Sequence, residues 1–152
     1  MAKHIQCPDT VKTEAKNKLF LAGGISGCFI WQTDVIKALA DVPDLDIYNP
    51  RRVSFPMHEP AEAVKQITWE FERLRDSNII SFWFAPETLC PIVLFELGMW
   101  GLSRPEKKII VGIHPEYKRR KDVETQVLLA NDKIPVVYSL KDLVTKIKEV
   151  AV

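Results

Sequence analysis

The sequence SFWFAPETLCPIVLFELGMWGL, residues 81–102, constrains the arrangement of the whole chain. Its first residues, up to Phe84, are almost all apolar, which is typical of a strand that is covered on both faces of a parallel sheet. Residues 85–90 have the composition of a turn, and Pro91 suits the first position of a helix that extends to about Gly101. The stretch therefore predicts a strand, a turn and a helix in succession.

The predicted helix carries one carboxylate, Glu96, among apolar residues. An ionised group that is buried without a partner costs several kcal/mol, so such a group is usually paired or functional. A carboxylate that points to solvent from an amphipathic helix gives the same pattern, because charged residues are mostly solvated. The local pattern leaves both interpretations of Glu96 open.

Composition indicates a single globular domain and limits its partners. The 152 residues are 47% hydrophobic and 27% charged, which is ordinary for a soluble protein. Lys and Arg total 21 against 20 for Asp and Glu, a formal charge of +1. A net charge this small gives no overall electrostatic attraction to a polynucleotide or an anionic membrane. We expect no polynucleotide partner and no membrane partner.

The cysteines and histidines predict no metal site, no cofactor and no disulfide framework. Three cysteines form an odd number without a Cys-x-x-Cys pair, and three histidines lie far apart in the sequence. The polar start of the chain lacks the apolar core of a signal peptide, and no apolar run approaches the roughly 20 residues that span a bilayer. The expected location is the cytoplasm.

Strand and helix patterns alternate about five times along the chain. Residues 1–17 have no hydrophobic period and predict a flexible or loosely docked leader, which leaves 18–152 as the folded domain. Alternation of this kind predicts a flavodoxin or Rossmann-like α/β fold, with a doubly wound parallel five-stranded sheet flanked by helices. The predicted strands are 19–22, 44–48, 78–84, 108–113 and 134–138, and the predicted helices are 31–40, 59–75, 91–101, 122–131 and 139–150.

Two of the predicted helices have apolar residues at the 3 and 4 spacing of a buried face. In helix 59–75 these residues are Ala63, Val64, Ile67, Phe71 and Leu74. In helix 139–150, with Ser139 as its expected cap, they are Leu140, Leu143, Val144 and Ile147. Both faces are predicted to pack against the sheet.

Three loops are predicted at the carboxyl edge of the sheet, where ligands bind in open parallel sheets. They are 23–31, 49–60 and 85–91, and Glu96 lies a little over one turn into the helix after the third loop. Gly23, Gly24 and Gly27 permit close backbone approach and positive φ before a helix N-terminus that would attract an anion. Their spacing matches neither the dinucleotide fingerprint nor the Walker A loop, and an ordinary tight turn has the same composition.

Arg51 and Arg52 in the second loop allow a bidentate clamp on phosphate, or form a solvated surface pair. Trp31 and Phe84 near the predicted cleft allow stacking on a base, although core packing is the commoner role of aromatic residues.

Several motifs, taken together, resemble the nucleoside 2-deoxyribosyltransferase-like family. The resemblance covers residues 18–126 and rests on LFLAGGISG, IYNPRR, ITWEFERLRDSNIISFWF, ETLCPIVLFELG and VGIHPEYKRRKDVETQ. It implies a small flavodoxin-like domain in which Glu96 is the nucleophile, in the position of the family's (F/Y)E(L/I)G glutamate. Within these motifs, Asn49 is also expected to contact substrate.

The implied reaction cleaves an N-glycosidic bond of a 2-deoxynucleoside. A carboxylate attacks the anomeric carbon, the base leaves, and a covalent glycosyl ester then reacts with another base or with water. A second acidic group is needed for the leaving base, and Glu70 is the first candidate. Glu72 and Asp76 are expected on an exposed helical face, and Glu87 either contacts substrate or caps the following helix.

Three functional hypotheses follow from the sequence. The leading one is transfer of a deoxyribosyl group between bases. The second is hydrolysis of (deoxy)nucleoside 5′-monophosphates, with Gly24, Ser26, Gly27 and Arg51 or Arg52 holding the phosphate. The third is a non-catalytic nucleotide-binding module. In each case the expected partners are a small nucleoside or nucleotide, a nucleobase, and further copies of the chain in a homo-oligomer that closes the site.

Overall fold

The fold, a computed structural model that describes residues 1–54 and 59–152, is an α/β sandwich. Within those residues, six parallel strands form one sheet flanked by five α-helices. The strands are β1 (Lys3–Gln6), β2 (Asn17–Gly23), β3 (Leu45–Asn49), β4 (Ile79–Phe84), β5 (Lys108–Ile113) and β6 (Val136–Val137). The helices are α1 (Gln32–Ala38), α2 (Pro60–Asp76), α3 (Pro91–Glu96), α4 (Arg120–Ala130) and α5 (Leu140–Val150). The flavodoxin-like class is confirmed, whereas part of the predicted loop 49–60 lies outside the described residues.

The sheet has one strand more than the five predicted. The additional strand, β1, lies in the segment 1–17 that was expected to be a loose leader, and it pairs with β3 from Lys3 opposite Asp46 to Gln6 opposite Asn49. In β1 only Ile5 is buried, so this short edge strand has no periodic pattern to recognise. That part of the leader therefore belongs to the sheet.

Strand order places the ligand-binding crevice between β2 and β4. The order is β1-β3-β2-β4-β5-β6, so the chain runs from β2 to β3 on one side and then crosses back to β4 on the other. Loops at such a reversal diverge above the carboxyl ends of the strands and leave a crevice. The crevice here begins at Gly23 and Phe84, the last residues of β2 and β4.

Helices α2 and α5 differ in how they use their apolar residues. In α5 Leu143 and Ile147 are buried as predicted, and Ser139 Oγ accepts a hydrogen bond of 3.1 Å from the Asp142 amide. In α2 Val64 and Ile67 are each 64% exposed. Ala63 and Phe71 are exposed as well, and the buried apolar residues of the helix are Trp69 and Leu74. The predicted buried face of α2 is therefore wrong except at Leu74.

The described residues contain neither a helix long and apolar enough to cross a membrane nor a group of three metal-ligating side chains.

Candidate active site

A cavity of about 420 Å³ lies at the carboxyl ends of β2 and β4. Its walls come from the turn after β2, the segment after β3, one side of α2 and the start of α3. The residues that line it are Gly23, Gly24, Ile25, Ser26, Pro50, Arg52, Gln66, Glu70, Thr88, Cys90, Pro91, Ile92, Val93 and Glu96. The cavity thus occupies the position that the strand order predicts for a ligand.

The Glu96 carboxylate lies in this cavity, at the end of α3. Cys90 has left-handed backbone angles of φ 49° and ψ 59°, which turn the chain sharply before Pro91 begins the helix. Directly after Glu96 the helix widens into a π-helical segment, Leu97–Gly101, a geometry found often at functional sites. Glu96 is 8% exposed, so it does not point to solvent.

Glu70 of α2 lies in the same cavity, where burial and the charge of Glu70 both raise the pKa of the Glu96 carboxyl. Burial raises the pKa of Glu96 to about 8, and the nearby charge of Glu70 adds to the rise. Burial also raises the pKa of Glu70 to about 7, against the opposing effects of a hydrogen bond with Gln66 and the charge of Arg52. Two such close carboxyls titrate as a pair, so near neutral pH the pair holds a proton. This combination provides one proton donor and one carboxylate.

Gln66 and Arg52 connect Glu70 to the surrounding chain. Gln66 Nε2 donates to the Pro50 carbonyl at 2.7 Å, while its Oε1 accepts from Arg52 Nε at 2.8 Å. The Cys7 thiol donates to the same Oε1 at 3.0 Å. The charge of Arg52 is paired, because its Nη1 lies 2.9 Å from a carboxylate oxygen of Glu62. These contacts fix the wall of the cavity that carries Glu70.

The glycine-rich turn is supported from below by Trp31. The indole Nε1 donates to the Gly24 carbonyl at 2.9 Å, and a methyl group at Gly23 would lie 2.2 Å from the indole Cζ2. Gly23 therefore cannot be replaced without displacing the ring. Gly27 has a φ of 72°, which favours glycine, but does not line the cavity.

The two aromatic residues expected near a base occupy the core instead. Trp31 is buried beneath the turn, and Phe84 is buried with its ring centroid 5.2 Å from that of Tyr117. Neither lines the cavity, so the fold does not bring them together with the other predicted substrate-binding residues, and their stacking on a base stays a prediction. Tyr117 also donates to the Leu89 carbonyl at 2.6 Å, which holds the turn that precedes α3.

Arg51, Asn49 and Glu87 join loops and do not line the cavity. Arg51 Nη2 donates to the Cys28 carbonyl at 2.8 Å, and its Nη1 donates to acceptors of residues 29 and 32. Asn49 Oδ1 accepts from the Arg51 amide at 3.0 Å. Glu87 accepts from the Phe29 amide at 3.4 Å. In the structure these three residues form bonds that support the loops, and their contact with substrate stays a prediction.

Glu72 and Asp76 lie outside the cavity, in ion pairs with Arg73 at 3.6 Å and with Lys18 at 3.6 Å. Of the predicted site residues, the cavity brings together Gly23, Gly24, Ser26, Arg52, Glu70 and Glu96. Sequence reasoning missed Gln66, whose spacing of four residues from Glu70 on one helix would have placed both on the same face. It also missed Thr88 and the segment 90–93 as cavity walls, although they lie in a strand-end loop and the first turn of the next helix.

Comparison with known families gives one match. Residues 16–117, more than half of the chain, match the family described as nucleoside 2-deoxyribosyltransferase like. A search of curated proteins finds no match. Family membership supports a function of the glycosyl-transfer type in general, with nucleosides and nucleobases as small-molecule substrates. The matched residues include strands β2 to β5 and every residue that lines the cavity. The chain therefore belongs to the nucleoside 2-deoxyribosyltransferase-like family.

Proposed function

We propose that the protein transfers a 2-deoxyribosyl group from one nucleobase to another through a covalent ester on Glu96. The observation that carries this proposal is the pair of carboxyls, the half-buried Glu70 and the buried Glu96, in one cavity at the reversal of strand order. Such a pair supplies the nucleophile and the acid that a double displacement at an anomeric carbon needs.

The reaction balances with these two groups alone. The step takes place in the form of the pair in which Glu70 holds the shared proton: the Glu96 carboxylate attacks the anomeric carbon while the bond to the base breaks, and Glu70 gives its proton to the departing base. In the second half, the nitrogen of an incoming base attacks the same carbon, the ester bond breaks, and Glu70 takes up the proton of the incoming base. Two inversions give net retention of configuration.

The raised pKa values suit a reaction in which the pair carries one proton. A doubly protonated pair lacks the nucleophile, and a fully ionised pair lacks the acid. The form with one proton is most populated between the two titrations, around pH 7 to 8. Maximal turnover is expected in that range.

The charges around the cavity favour nucleosides over 5′-monophosphates. Arg51 is bonded to the loop 28–32, and Arg52 is paired with Glu62 at 2.9 Å. A phosphate would enter a cavity that already contains two carboxyl groups, next to a cation that is already neutralised. We infer that the preferred donor is unphosphorylated.

The apolar outer surface of α2 and α3 supports a second copy of the chain as partner. Val64 and Ile67 of α2 and Ile92 and Phe95 of α3 are exposed, and Ile92 also lines the cavity. Exposed apolar residues grouped beside a cavity often mark a protein–protein interface. A second copy on this surface would exclude water, which favours transfer to a base over hydrolysis. The three cysteines are free, which supports a reducing, cytoplasmic location.

The proposal is tested by incubating the protein with a deoxynucleoside, with and without a second free base, and separating the products. Base exchange is expected, and Glu96→Gln should abolish it, while the matched control Glu72→Gln on the outer part of α2 should retain it. A peptide containing Glu96 that gains the mass of a deoxyribosyl group would identify the ester.

Other outcomes would contradict the proposal in distinct ways. Release of free deoxyribose without exchange would identify a hydrolase. Faster turnover of a 5′-monophosphate than of the nucleoside would contradict the inferred donor. A protein that binds nucleosides but releases no base, in the parent and in Glu96→Gln alike, would be a binding module.

A further inference from the structure

Two of the three cysteines, Cys28 and Cys90, are neighbours beside the cavity, although they lie far apart in the sequence. A methyl group at Gly24 would lie 2.5 Å from Sγ of Cys28 and 3.1 Å from Sγ of Cys90. Both thiols also approach the Thr88 hydroxyl, at 3.7 and 3.4 Å. Two free thiols that share two neighbours lie near each other, and proximity of the two cysteines is the geometric requirement for a disulfide.

We propose that Cys28 and Cys90 form a reversible disulfide when a peroxide enters the cavity. Cys90 lines the cavity and meets the oxidant first, whereas Cys28 does not line it. The Cys90 thiol gives up its proton and its sulfur attacks one oxygen of hydrogen peroxide; the O–O bond breaks and the departing hydroxide takes that proton, so a sulfenic acid and water form. The Cys28 thiol then attacks the Cys90 sulfur and displaces a second water. The two thiols lose two electrons, and the peroxide gains them.

The disulfide would couple the turn after β2 to the start of the helix that carries Glu96. Sulfurs in a disulfide are about 2.05 Å apart, closer than two thiols in contact, so the two segments must move toward each other. The segment around Cys90 is poorly able to absorb this movement, because Cys90 has a φ of 49° and is followed by Pro91. The shift is therefore transmitted to α3 and Glu96.

The third cysteine provides a control. Cys7 is buried and free, but its thiol donates to Gln66 on the other side of the cavity. It has the same chemistry and a similar degree of burial without a thiol neighbour. If disulfide formation requires a neighbouring thiol, Cys7 should stay reduced.

The experiment treats the reduced full-length protein with stoichiometric hydrogen peroxide, blocks remaining thiols with N-ethylmaleimide, and maps peptides without reduction. The expected product is a peptide pair joined through Cys28 and Cys90, lighter by two hydrogens and separated again by dithiothreitol. Cys7→Ser should give the same pair, and Cys28→Ser and Cys90→Ser should not. Because mapping of the parent protein needs no variant, the proposal remains testable if a variant fails to fold. A disulfide that involves Cys7 would overturn the proposal. Labelling of both Cys28 and Cys90 by N-ethylmaleimide after peroxide treatment would also overturn it.

The effect on turnover rests on the proposed function and is measured separately. A displacement of the order of 1 Å at Glu96 should lower base exchange by roughly tenfold to 100-fold, with recovery after dithiothreitol. The activity of Cys28→Ser, relative to its own untreated sample, should resist peroxide. A disulfide that forms without loss of exchange would contradict the coupling to α3. Absence of exchange before oxidation would instead contradict the proposed function and leave the mapped disulfide intact.

Discussion

Helices α2 and α5 have similar apolar spacing in the sequence but opposite arrangements in the fold. Leu143 and Ile147 of α5 are fully buried, whereas Val64 and Ile67 of α2 are mostly exposed. The side of α2 that turns inward carries the polar residues Gln66 and Glu70 together with Trp69 and Leu74. Helix α5 stabilises the sheet, and α2 provides one wall of the cavity.

This difference shows that apolar periodicity identifies the apolar face of a helix but does not tell whether the sheet or another chain covers that face. Because α2 turns Glu70 toward the cavity, its buried apolar residues are Trp69 and Leu74, and Phe71 contacts the core residue Trp100 from a partly exposed position. The remaining apolar face is left for a partner, which we propose to be a second copy of the chain. Four experiments test this contrast.

The largest effect is expected for Glu70→Gln, on the inward side of α2. Loss of a general acid should lower the rate of base exchange by roughly 10²–10⁴-fold, with the fold retained, because glutamine keeps the size of the side chain. Steady-state kinetics and circular dichroism measure the two properties. A rate equal to that of the control Glu72→Gln would remove Glu70 from the mechanism.

The next effect is expected for Ile147→Ala in α5. Removing a fully buried isoleucine side chain should lower the free energy of unfolding by about 2–5 kcal/mol, because a cavity replaces its contacts. Urea denaturation measures the change, with Ile67→Ala in α2 as the matched control at an exposed position. Equal losses in the two variants would contradict the difference between the helices.

The free energy of unfolding is expected to depend on pH through the carboxyls of Glu70 and Glu96, by an amount similar to or smaller than the loss in Ile147→Ala. Burial raises the pKa of Glu70 from 4.5 to about 7, so the folded state holds more protons than the unfolded state across this interval. The free energy of unfolding should therefore fall as pH rises, by on the order of 3 kcal/mol for Glu70 alone. Denaturation midpoints at several pH values measure this slope.

Replacement of both carboxyls provides the control for that slope. The double variant Glu70→Gln, Glu96→Gln should lose most of the decline in stability between about pH 5 and 8. A slope that survives the double substitution would assign the pH dependence to other groups.

The smallest effect on the folded chain itself is expected for Ile67→Ser on the outer side of α2. An exposed substitution should change the unfolding free energy of a monomer by about 0.5 kcal/mol or less. Self-association should weaken markedly, which sedimentation measures across a concentration series. Leu128→Ser, at an exposed position of α4, is the control that should leave self-association unchanged. Equal behaviour of the two variants would place any interface elsewhere.

The fold and the centre of the site are largely predictable from this sequence, because strand and helix periods alternate strongly and loops at one edge of a parallel sheet converge. Glu96 and Glu70 share a cavity for that reason. The positions of the Arg51 and Trp31 side chains could not be predicted from the sequence. Both belong to the converging loops, yet one donates to the carbonyls of a neighbouring loop and the other fills the space beneath Gly23. Which side of a loop a side chain occupies depends on tertiary contacts that a local pattern does not contain.

The position of β1 has a consequence for the order of folding. β1 is the first strand along the chain, yet its partner is β3, so it can pair only when Leu45–Asn49 is extended beside it. A four-residue strand with one neighbour opens locally at a lower free energy than the central strands. Because Cys7 follows it directly and bonds to Gln66, each opening of this edge releases one support of the wall that carries Glu70. Hydrogen exchange in residues 3–6 is therefore expected to report how often the cavity wall loses that support.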